Sequence, residues 1–307
     1  MDVKIHSFNE WDSLRQVVVG SALNANWPVN DPVFSLESQK TRWKASPVPS
    51  GKVPYFIVKE AEHNLEILCE TLSDLGVEVF RPHELDFVKR DGMYNYCPRD
   101  RLLITGNSVV DPAMMYPCRD QEIEALDFVT DAANTISMPR DCGMVLDAAN
   151  ICRLGDTWLY LESPSGNRKA AEWLQQQFPE KNIEVCNFYA GVHIDSTIVP
   201  LNDHTVMLNA SRVNSENCPQ IFKDWDIIWV EDCVARTFHR YPYASKWIGM
   251  NCLSINPTTV IVDNLQKTII TLLEKKNFNV IPLELRHCRT LGGGFHCVTL
   301  DLWRQND

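Results

Sequence analysis

The chain has 307 residues, of which 45% are apolar and 22% are charged. That balance is typical of globular proteins and excludes disordered and fibrous classes. Lys and Arg total 29 against 40 Asp and Glu, which leaves a formal charge of −11. No local Lys/Arg cluster offsets this charge, so neither a nucleic-acid surface nor an anionic-membrane surface is expected.

Two absences in the sequence bear on location. No apolar run is long enough to span a bilayer, and residues 1–20 lack the basic start and apolar stretch of a signal peptide. The eleven cysteines are scattered without any CxxC pair, so neither a zinc site nor a disulfide framework is favoured. We therefore expect a cytoplasmic protein without a metal, in which most cysteines pack as small buried hydrophobes.

One unit recurs along the chain: strand, tight turn, strand, helix, strand. The first copy is incomplete. It has one strand in LRQVVVG (14–20), a helix closed by Gly76, and a second strand in VEVFR (77–81). The helix is predicted from one apolar stripe, consisting of Ile57, Ala61, Leu65, Leu68, Leu72 and Leu75. We predict that the missing strand is FHCVTLDLW (295–303), at the far end of the chain.

Four complete copies follow. They begin near Asp100, Ala149, His193 and Asn251, and their turns are Gly106-Asn107, Gly155-Asp156, Asn202-Asp203 and Asn256-Pro257. The predicted helices are 121–133, 167–178, a short weak one interrupted at Pro219, and LQKTIITLLEKK (265–276). We predict one closed α/β domain over residues 1–307, a propeller of five ββαβ modules completed by both termini. The alternative is an open α/β sheet with similar local units.

Such a ring brings equivalent positions of the modules together at its axis. The residues just ahead of each first strand are Asp100, Asp147, His193 with Asp195, Asn251, and His296 with Cys297. Carboxylates, a histidine and a thiol that converge are typical of an active site. Loops without a catalytic role would instead be expected to show mixed polar residues.

Cys297 is the candidate nucleophile. It follows Gly292-Gly293-Gly294, which lets backbone approach a substrate closely, although three glycines alone are more often a flexible turn. A cysteine nucleophile needs a lowered pKa or a nearby base, which His193 supplies. Asp147 is the candidate partner that fixes the tautomer of His193. A single histidine is more often structural, and only the shared module position favours catalysis.

Asp100 and Asp195 remain at the same face without an evident partner. Crowded carboxylates repel each other, so a cationic ligand is their natural complement. A planar guanidinium presents donors in a fixed fork that matches paired carboxylates. The sequence therefore indicates a guanidine substrate. The alternative for each aspartate is a turn or a helix cap.

Five segments carry a resemblance: YCPRD (96–100), LDAAN (146–150), HIDST (193–197), SKWIGMN (245–251) and LGGGFHC (291–297). Together they resemble the signature segments of the arginine:amine amidinotransferases. The resemblance covers nearly the whole chain and implies the five-module propeller called the pentein fold. It implies that Cys297 is the nucleophile, His193 the general acid/base, Asp147 its acidic partner, and Asp100 and Asp195 the guanidinium ligands. It also implies that Arg212 and Ser245 bind the α-carboxylate of the donor L-arginine, with no cofactor.

Within the family, the segments look most similar to the inosamine-phosphate amidinotransferases, and the glycine enzymes are more distant. Ala244 precedes Ser245 where the glycine enzymes carry two serines. Val192 replaces their methionine and Ser196 their alanine, and the segment 111–145 is shorter than in relatives. The Ala244 departure shifts carboxylate binding toward Arg212, whereas Val192 and the shortened segment favour an acceptor bulkier than glycine.

The leading hypothesis is transfer of the amidino group from L-arginine, through an amidino-cysteine, to an amine acceptor, with release of L-ornithine. A glycine acceptor is one alternative. A second is a hydrolase of the deiminase type, which would use the same thiol, histidine and acids to make citrulline. A third is a guanidine-binding protein without turnover, although binding needs no thiol at this position. The sequence leaves the oligomeric state open, with a homodimer as a candidate.

Overall fold

Three-stranded sheets form the framework of the molecule. In the computed structural model, which describes residues 2–35 and 49–306, there are five of them. In each sheet the central strand pairs antiparallel on one side and parallel on the other. A parallel pair needs a crossover connection, and that segment holds the helix of the module. The predicted repeat of three strands with a crossover is confirmed in all five modules.

Modules 2 to 5 lie in chain order and are each continuous in sequence. Their strands are Leu103–Thr105, Ser108–Asp111 and Asn134–Ser137; Ile151–Leu154, Thr157–Leu161 and Asn182–Cys186; Ile198–Pro200, Thr205–Asn209 and Asp226–Val230; and Leu253–Asn256, Thr259–Asp263 and Asn279–Leu283. The order of these strands matches the sequence prediction, because each run of alternating or continuous apolar residues is bounded by its turn residues.

Module 1 joins the two ends of the chain. Its central strand Ser13–Val19 pairs in parallel with Glu78–Phe80 and antiparallel with Thr299–Gln305. In the antiparallel pair Val17 lies opposite Asp301. The predicted closure by the C-terminal strand is thus confirmed, although the strand begins at Thr299 and leaves the preceding residues free to form the site.

The helices agree with the sequence in three modules and differ in two. The α-helices are Tyr55–Asp74 in module 1, Asp127–Thr130 in module 2, Arg168–Gln177 in module 3 and Lys267–Lys275 in module 5. The continuous helix predicted over 121–133 is wrong, because residues 121–126 belong to the 3₁₀ helix Pro117–Leu126 and only Asp127–Thr130 is α-helical. The i and i+3 side chains of a 3₁₀ helix eclipse, which suits the buried pair of Arg119 and Glu122. Module 4 has only the 3₁₀ turn Gln220–Phe222, which begins directly after Pro219.

The module 1 helix buries the predicted stripe with one exception. Ile57, Ala61, Leu65, Leu68 and Leu72 are all buried in the largest apolar cluster. Leu75 is 41% exposed, so its place on the stripe is wrong. The helix ends at Asp74, and Gly76 turns the chain away with a φ of +80°, a conformation that costs glycine little.

Short helices precede the first strands of three modules and hold the convergent residues. These are Pro98–Arg101 before module 2, Ala148–Asn150 before module 3 and Lys246–Met250 before module 5. The remaining elements are the two-stranded sheet Asn26–Trp27 and Gly51–Lys52, and the helices Phe87–Arg90 and Cys288–Leu291. Within the described residues, none of the helices has the length and apolar character needed to traverse a bilayer.

Buried charges tie the modules together near the ring axis. Arg153 of module 3 bonds Glu10 from the N-terminal segment and Asp301 from the closing strand. It also donates to the carbonyl of Ile104 in module 2. Removing one member of such a buried network leaves an uncompensated charge, so these contacts lock the ring. The assignment of one domain to residues 1–307 stays a prediction, since residues 1, 36–48 and 307 lie outside the described residues.

Candidate active site

One cavity of about 450 Å³ receives most of the residues that the sequence singled out. His193, Asp195, Arg212, Ser245 and Cys297 all line it. They come from module 4, from the segment just ahead of module 5 and from the segment ahead of the closing strand, which are separate parts of the sequence. The ring therefore brings these side chains to one place. Asp100 and Asp147 contact the imidazole of His193.

His193 lies between two carboxylates. Its Nε2 is 3.1 Å from Oδ2 of Asp147, and its Nδ1 is 3.7 Å from Oδ1 of Asp100. Burial lowers the pKa of His193, but the charges of Asp100, Asp147 and Asp195 outweigh it and raise the pKa to about 9. The imidazole is consequently protonated at neutral pH and can donate a proton to a leaving group. Asp147 also accepts from the backbone N–H of Met115 at 2.9 Å, which fixes the carboxylate.

Cys297 is only 2% exposed, and its thiol points at a carboxylate. Sγ donates to Oδ2 of Asp195 at 3.2 Å, and the Cys297 N–H donates to Oδ1 of Asn251 at 3.0 Å. Burial raises the pKa of the Cys297 thiol well above its usual range, and the charges of Asp195 and Asp100 raise it further. Burial and these two carboxylates therefore favour the protonated form of the Cys297 thiol.

The glycines before Cys297 are required by close packing. A Cβ on Gly293 would lie 2.4 Å from Sγ of Cys97, and one on Gly294 would lie 2.6 Å from Cβ of Asn251. Gly292 has a φ of +81°, which side chains rarely adopt. The interpretation of these three residues as a flexible turn is therefore wrong, because larger residues would displace the backbone that carries Cys297.

Asp195 has a partner that the sequence analysis did not recognise. Its Oδ2 accepts from Nδ1 of His296 at 3.0 Å, and Nε2 of His296 is 3.2 Å from Oε2 of Glu10. Burial raises the pKa of Asp195, but the hydrogen bond and charge of His296 outweigh it and lower the pKa to about 2. The carboxylate is thus ionised at neutral pH and can hold a cation.

Asp100 also has a partner, so the expectation that both acids lack one is wrong. Nη1 of Arg119 donates to Oδ2 of Asp100 at 2.8 Å, while Nε and Nη2 of the same guanidinium bond Glu122. Oδ1 of Asp100 is buried and has no hydrogen-bond partner among the described residues. One oxygen is therefore anchored and the other remains available to a ligand. The Arg-x-x-Glu spacing of residues 119 and 122 could have indicated this buried pair.

Arg212 and Ser245 line the same cavity. Nη1 of Arg212 donates to Oγ1 of Thr197 at 2.8 Å and to Oγ of Ser196 at 3.2 Å. Ser245 is exposed, and its Oγ accepts from the N–H of Trp247 at 3.3 Å at the start of the short helix Lys246–Met250. These contacts orient Arg212 and Ser245 toward fixed positions in the cavity lining.

Replacing Arg119 with methionine is expected to lower the free energy of unfolding by about 3–5 kcal/mol, because Asp100 and Glu122 would lose their buried counter-charge. Urea denaturation measures this loss. Arg90→Met is the matched control, since Arg90 pairs with Glu124 at the surface and should cost at most about 1 kcal/mol. Equal losses in the two variants would contradict the anchoring role of Arg119.

The assembled groups suit the chemistry of a guanidinium substrate. Two carboxylates can bind the cation, the thiol can attack its carbon and the imidazolium can protonate a departing nitrogen. No group of three or more His, Cys, Asp or Glu side chains in residues 2–35 and 49–306 is arranged to hold a metal ion.

Sequence comparison identifies similar proteins over the full length of the chain. The inosamine-phosphate amidinotransferase 1 of Streptomyces griseus is 38% identical over 98% of this chain and 97% of its own length. The mitochondrial glycine amidinotransferase of Xenopus laevis is 27% identical, over 97% of this chain and 82% of its own. No family model matches the chain.

Structural comparison agrees. A solved inosamine-phosphate amidinotransferase from Streptomyces griseus superposes with a TM-score of 0.92 at 37% identity, over 99% of this chain and 98% of that one. An amidinotransferase of the saxitoxin biosynthetic pathway from Microseira wollei superposes with a TM-score of 0.89 at 26% identity, over 99% and 98% of the two chains. The predicted pentein fold is confirmed. Because the identity to the Streptomyces griseus enzyme extends over nearly all of both chains, this protein belongs to the amidinotransferase family.

Proposed function

We propose that this amidinotransferase takes the amidino group from L-arginine and transfers it to the amine of an aminocyclitol phosphate, with release of L-ornithine. One observation carries the proposal: a single cavity is lined by Cys297, His193 and Asp195, with Asp100 and Asp147 against the imidazole. The 38% identity to an inosamine-phosphate amidinotransferase supports the choice of acceptor.

Binding of arginine prepares the nucleophile. The guanidinium enters between Asp195 and the free Oδ1 of Asp100, and its positive charge offsets the carboxylates that raise the pKa of the thiol. Cys297 then releases its proton to solvent and attacks the guanidinium carbon as a thiolate. Attack is thereby coupled to the presence of a cationic substrate.

Collapse of the tetrahedral intermediate releases the first product. The bond from the amidino carbon to the side-chain nitrogen of arginine breaks, and His193 gives its proton to that nitrogen. Ornithine departs, leaving the amidino group on Sγ of Cys297 and a neutral imidazole. Asp147, hydrogen-bonded to His193, keeps the ring in place throughout.

The second half-reaction reverses the proton transfer. The neutral His193 accepts a proton from the acceptor amine as the amine attacks the amidino carbon. The C–S bond breaks and leaves a Cys297 thiolate beside a His193 imidazolium. As the cationic guanidinylated product departs, the thiolate takes a proton from solvent, which restores the starting thiol. Asp100 and Asp195 stabilise the cationic carbon in both halves.

The shape of the cavity supports an acceptor larger than glycine. Tyr189, Tyr241 and Tyr243 supply aromatic walls, and the volume is about 450 Å³. Val192, 42% exposed, lies at its edge. Rings of this kind offer apolar faces to a cyclitol. The homodimer and the cytoplasmic location expected from the sequence stay predictions within this proposal.

A direct test separates transferase from hydrolase. Arginine with hydroxylamine, a small surrogate acceptor, should yield ornithine and hydroxyguanidine with little citrulline. Mass spectrometry quantifies all three compounds. Among glycine, lysine, aminocyclitols and aminocyclitol phosphates, the phosphates should give the highest kcat/KM. Steady citrulline production without hydroxyguanidine would support a deiminase-type hydrolase instead. Binding of arginine without any product would support a guanidine-binding protein.

A further inference from the structure

The segment from Tyr189 to His193 folds back on itself beside the cavity. The hydroxyl of Tyr189 lies 2.6 Å from the carbonyl oxygen of Val192 and also contacts the carbonyl oxygen of His193. Burial raises the pKa of Tyr189 to about 12, although the charge of Arg212 opposes the shift. The hydroxyl is therefore protonated at neutral pH and donates to these carbonyls.

The backbone that receives this donor is unusual. His193 has a φ of +61°, in the left-handed region that residues other than glycine rarely adopt. Such a conformation persists only where the surroundings fix it, and it concentrates at functional sites. At His193 the conformation sets the direction in which the imidazole leaves the chain, toward Asp100 and Asp147.

Gly191 makes room for the tyrosine ring. A Cβ at this position would lie 2.2 Å from Cε2 of Tyr189, a distance at which the ring must move. The glycine in Tyr-Ala-Gly-Val-His thus has a physical reason, which is to let the ring lie against its own loop.

The Tyr189 ring also contacts a side chain of module 4. The guanidinium carbon of Arg212 lies 3.9 Å from the centroid of the Tyr189 ring, within the range of a cation–π contact. The ring of Tyr189 therefore contacts Arg212, which the sequence resemblance assigns to the donor carboxylate. The hydroxyl of Tyr189 contacts the backbone of His193.

We propose that Tyr189 is a positioning residue, which holds the His193 backbone in its left-handed conformation and links it to Arg212. The proposal rests on the role proposed above for His193 and on the carboxylate-binding role that the sequence resemblance implies for Arg212. The ring contributes to donor binding by supporting the guanidinium of Arg212. The hydroxyl contributes to proton transfer by fixing the imidazole between its two carboxylates.

Two variants separate these contributions. Tyr189→Phe keeps the ring and removes the hydroxyl, so kcat with arginine and hydroxylamine should fall by about 10- to 100-fold, while the KM for arginine changes little. Tyr189→Leu also removes the aromatic face, so the KM for arginine should rise as well.

Tyr160→Phe is the matched control. It loses a buried hydroxyl that donates to the carbonyl of Asn167 at 2.8 Å, outside the cavity lining, and should keep wild-type kcat.

The pH profile gives a readout that lost stability alone would not move. The carboxylates beside His193 hold its pKa at about 9, so an imidazole free to drift from them should titrate closer to its ordinary value. The basic limb of the kcat/KM profile should therefore move to lower pH in Tyr189→Phe and stay in place in Tyr160→Phe.

The outcomes can be told apart. Wild-type kcat and an unshifted pH profile in Tyr189→Phe would overturn the positioning role, even if amidino transfer is confirmed. Absence of amidino transfer in the wild-type protein would overturn the proposed function itself. If Tyr189→Phe does not fold, Gly191→Ala retains the hydroxyl and displaces the ring. It should reproduce the fall in kcat and the shifted limb, and wild-type values for it would overturn the proposal.

Discussion

Cys297→Ala is expected to lower kcat by at least about 10⁴-fold, because the variant lacks the atom that forms the covalent intermediate. The fold should survive, since the side chain is small and its loss costs less than about 2 kcal/mol of unfolding free energy. Steady-state assay of ornithine release, with thermal denaturation of the same sample, measures both quantities.

The neighbouring cysteines provide the control for that experiment. Cys288 is buried to the same degree as Cys297 and belongs to the same apolar cluster. Cys288→Ala should therefore show a similar change in stability with near wild-type kcat. Arginine alone should add one amidino group to the intact mass of the wild-type protein and of Cys288→Ala, and none to Cys297→Ala. An adduct on Cys297→Ala would place the nucleophile elsewhere.

The closed propeller of five modules could be predicted from the sequence because each module is specified by local patterns of strand and turn residues. Each module carries its own strand pattern and turn residues, and the unpaired strand of module 1 required a partner, found in Thr299–Gln305. The 3₁₀ helix Pro117–Leu126 could not be predicted in the same way. Its conformation accompanies the burial of Arg119 against Asp100 and Glu122, which is a tertiary contact.

The same distinction applies to the site. Module positions placed the aspartates, the histidine and the thiol in one region, since equivalent points of a ring meet at its axis. Their charge partners follow no module position. Glu10 reaches His296 across 286 residues of sequence, and it lies in the N-terminal segment outside every motif. Tyr189 was missed because a hydroxyl directed at its own loop leaves no pattern in spacing.

Arg212→Ala is expected to raise the KM for arginine by on the order of 10²-fold, since a charge-assisted contact to the α-carboxylate would be lost. Thr197 and Ser196 accept hydrogen bonds from the Arg212 guanidinium and orient it, so we expect the donor to bind without rearrangement of this side chain. The KM for hydroxylamine should change far less, because hydroxylamine carries no anionic group.

Agmatine, which is arginine without its carboxylate, shows whether that loss is specific. In the wild-type protein agmatine should have a KM as high as that of arginine in Arg212→Ala, and the substitution should add little further loss with agmatine. This pattern is expected because the carboxylate and the guanidinium of Arg212 are two halves of one interaction, and removing either half removes it. If agmatine proves as good a donor as arginine for the wild-type protein, Arg212 does not bind the donor carboxylate, and its guanidinium serves only to pack against Tyr189.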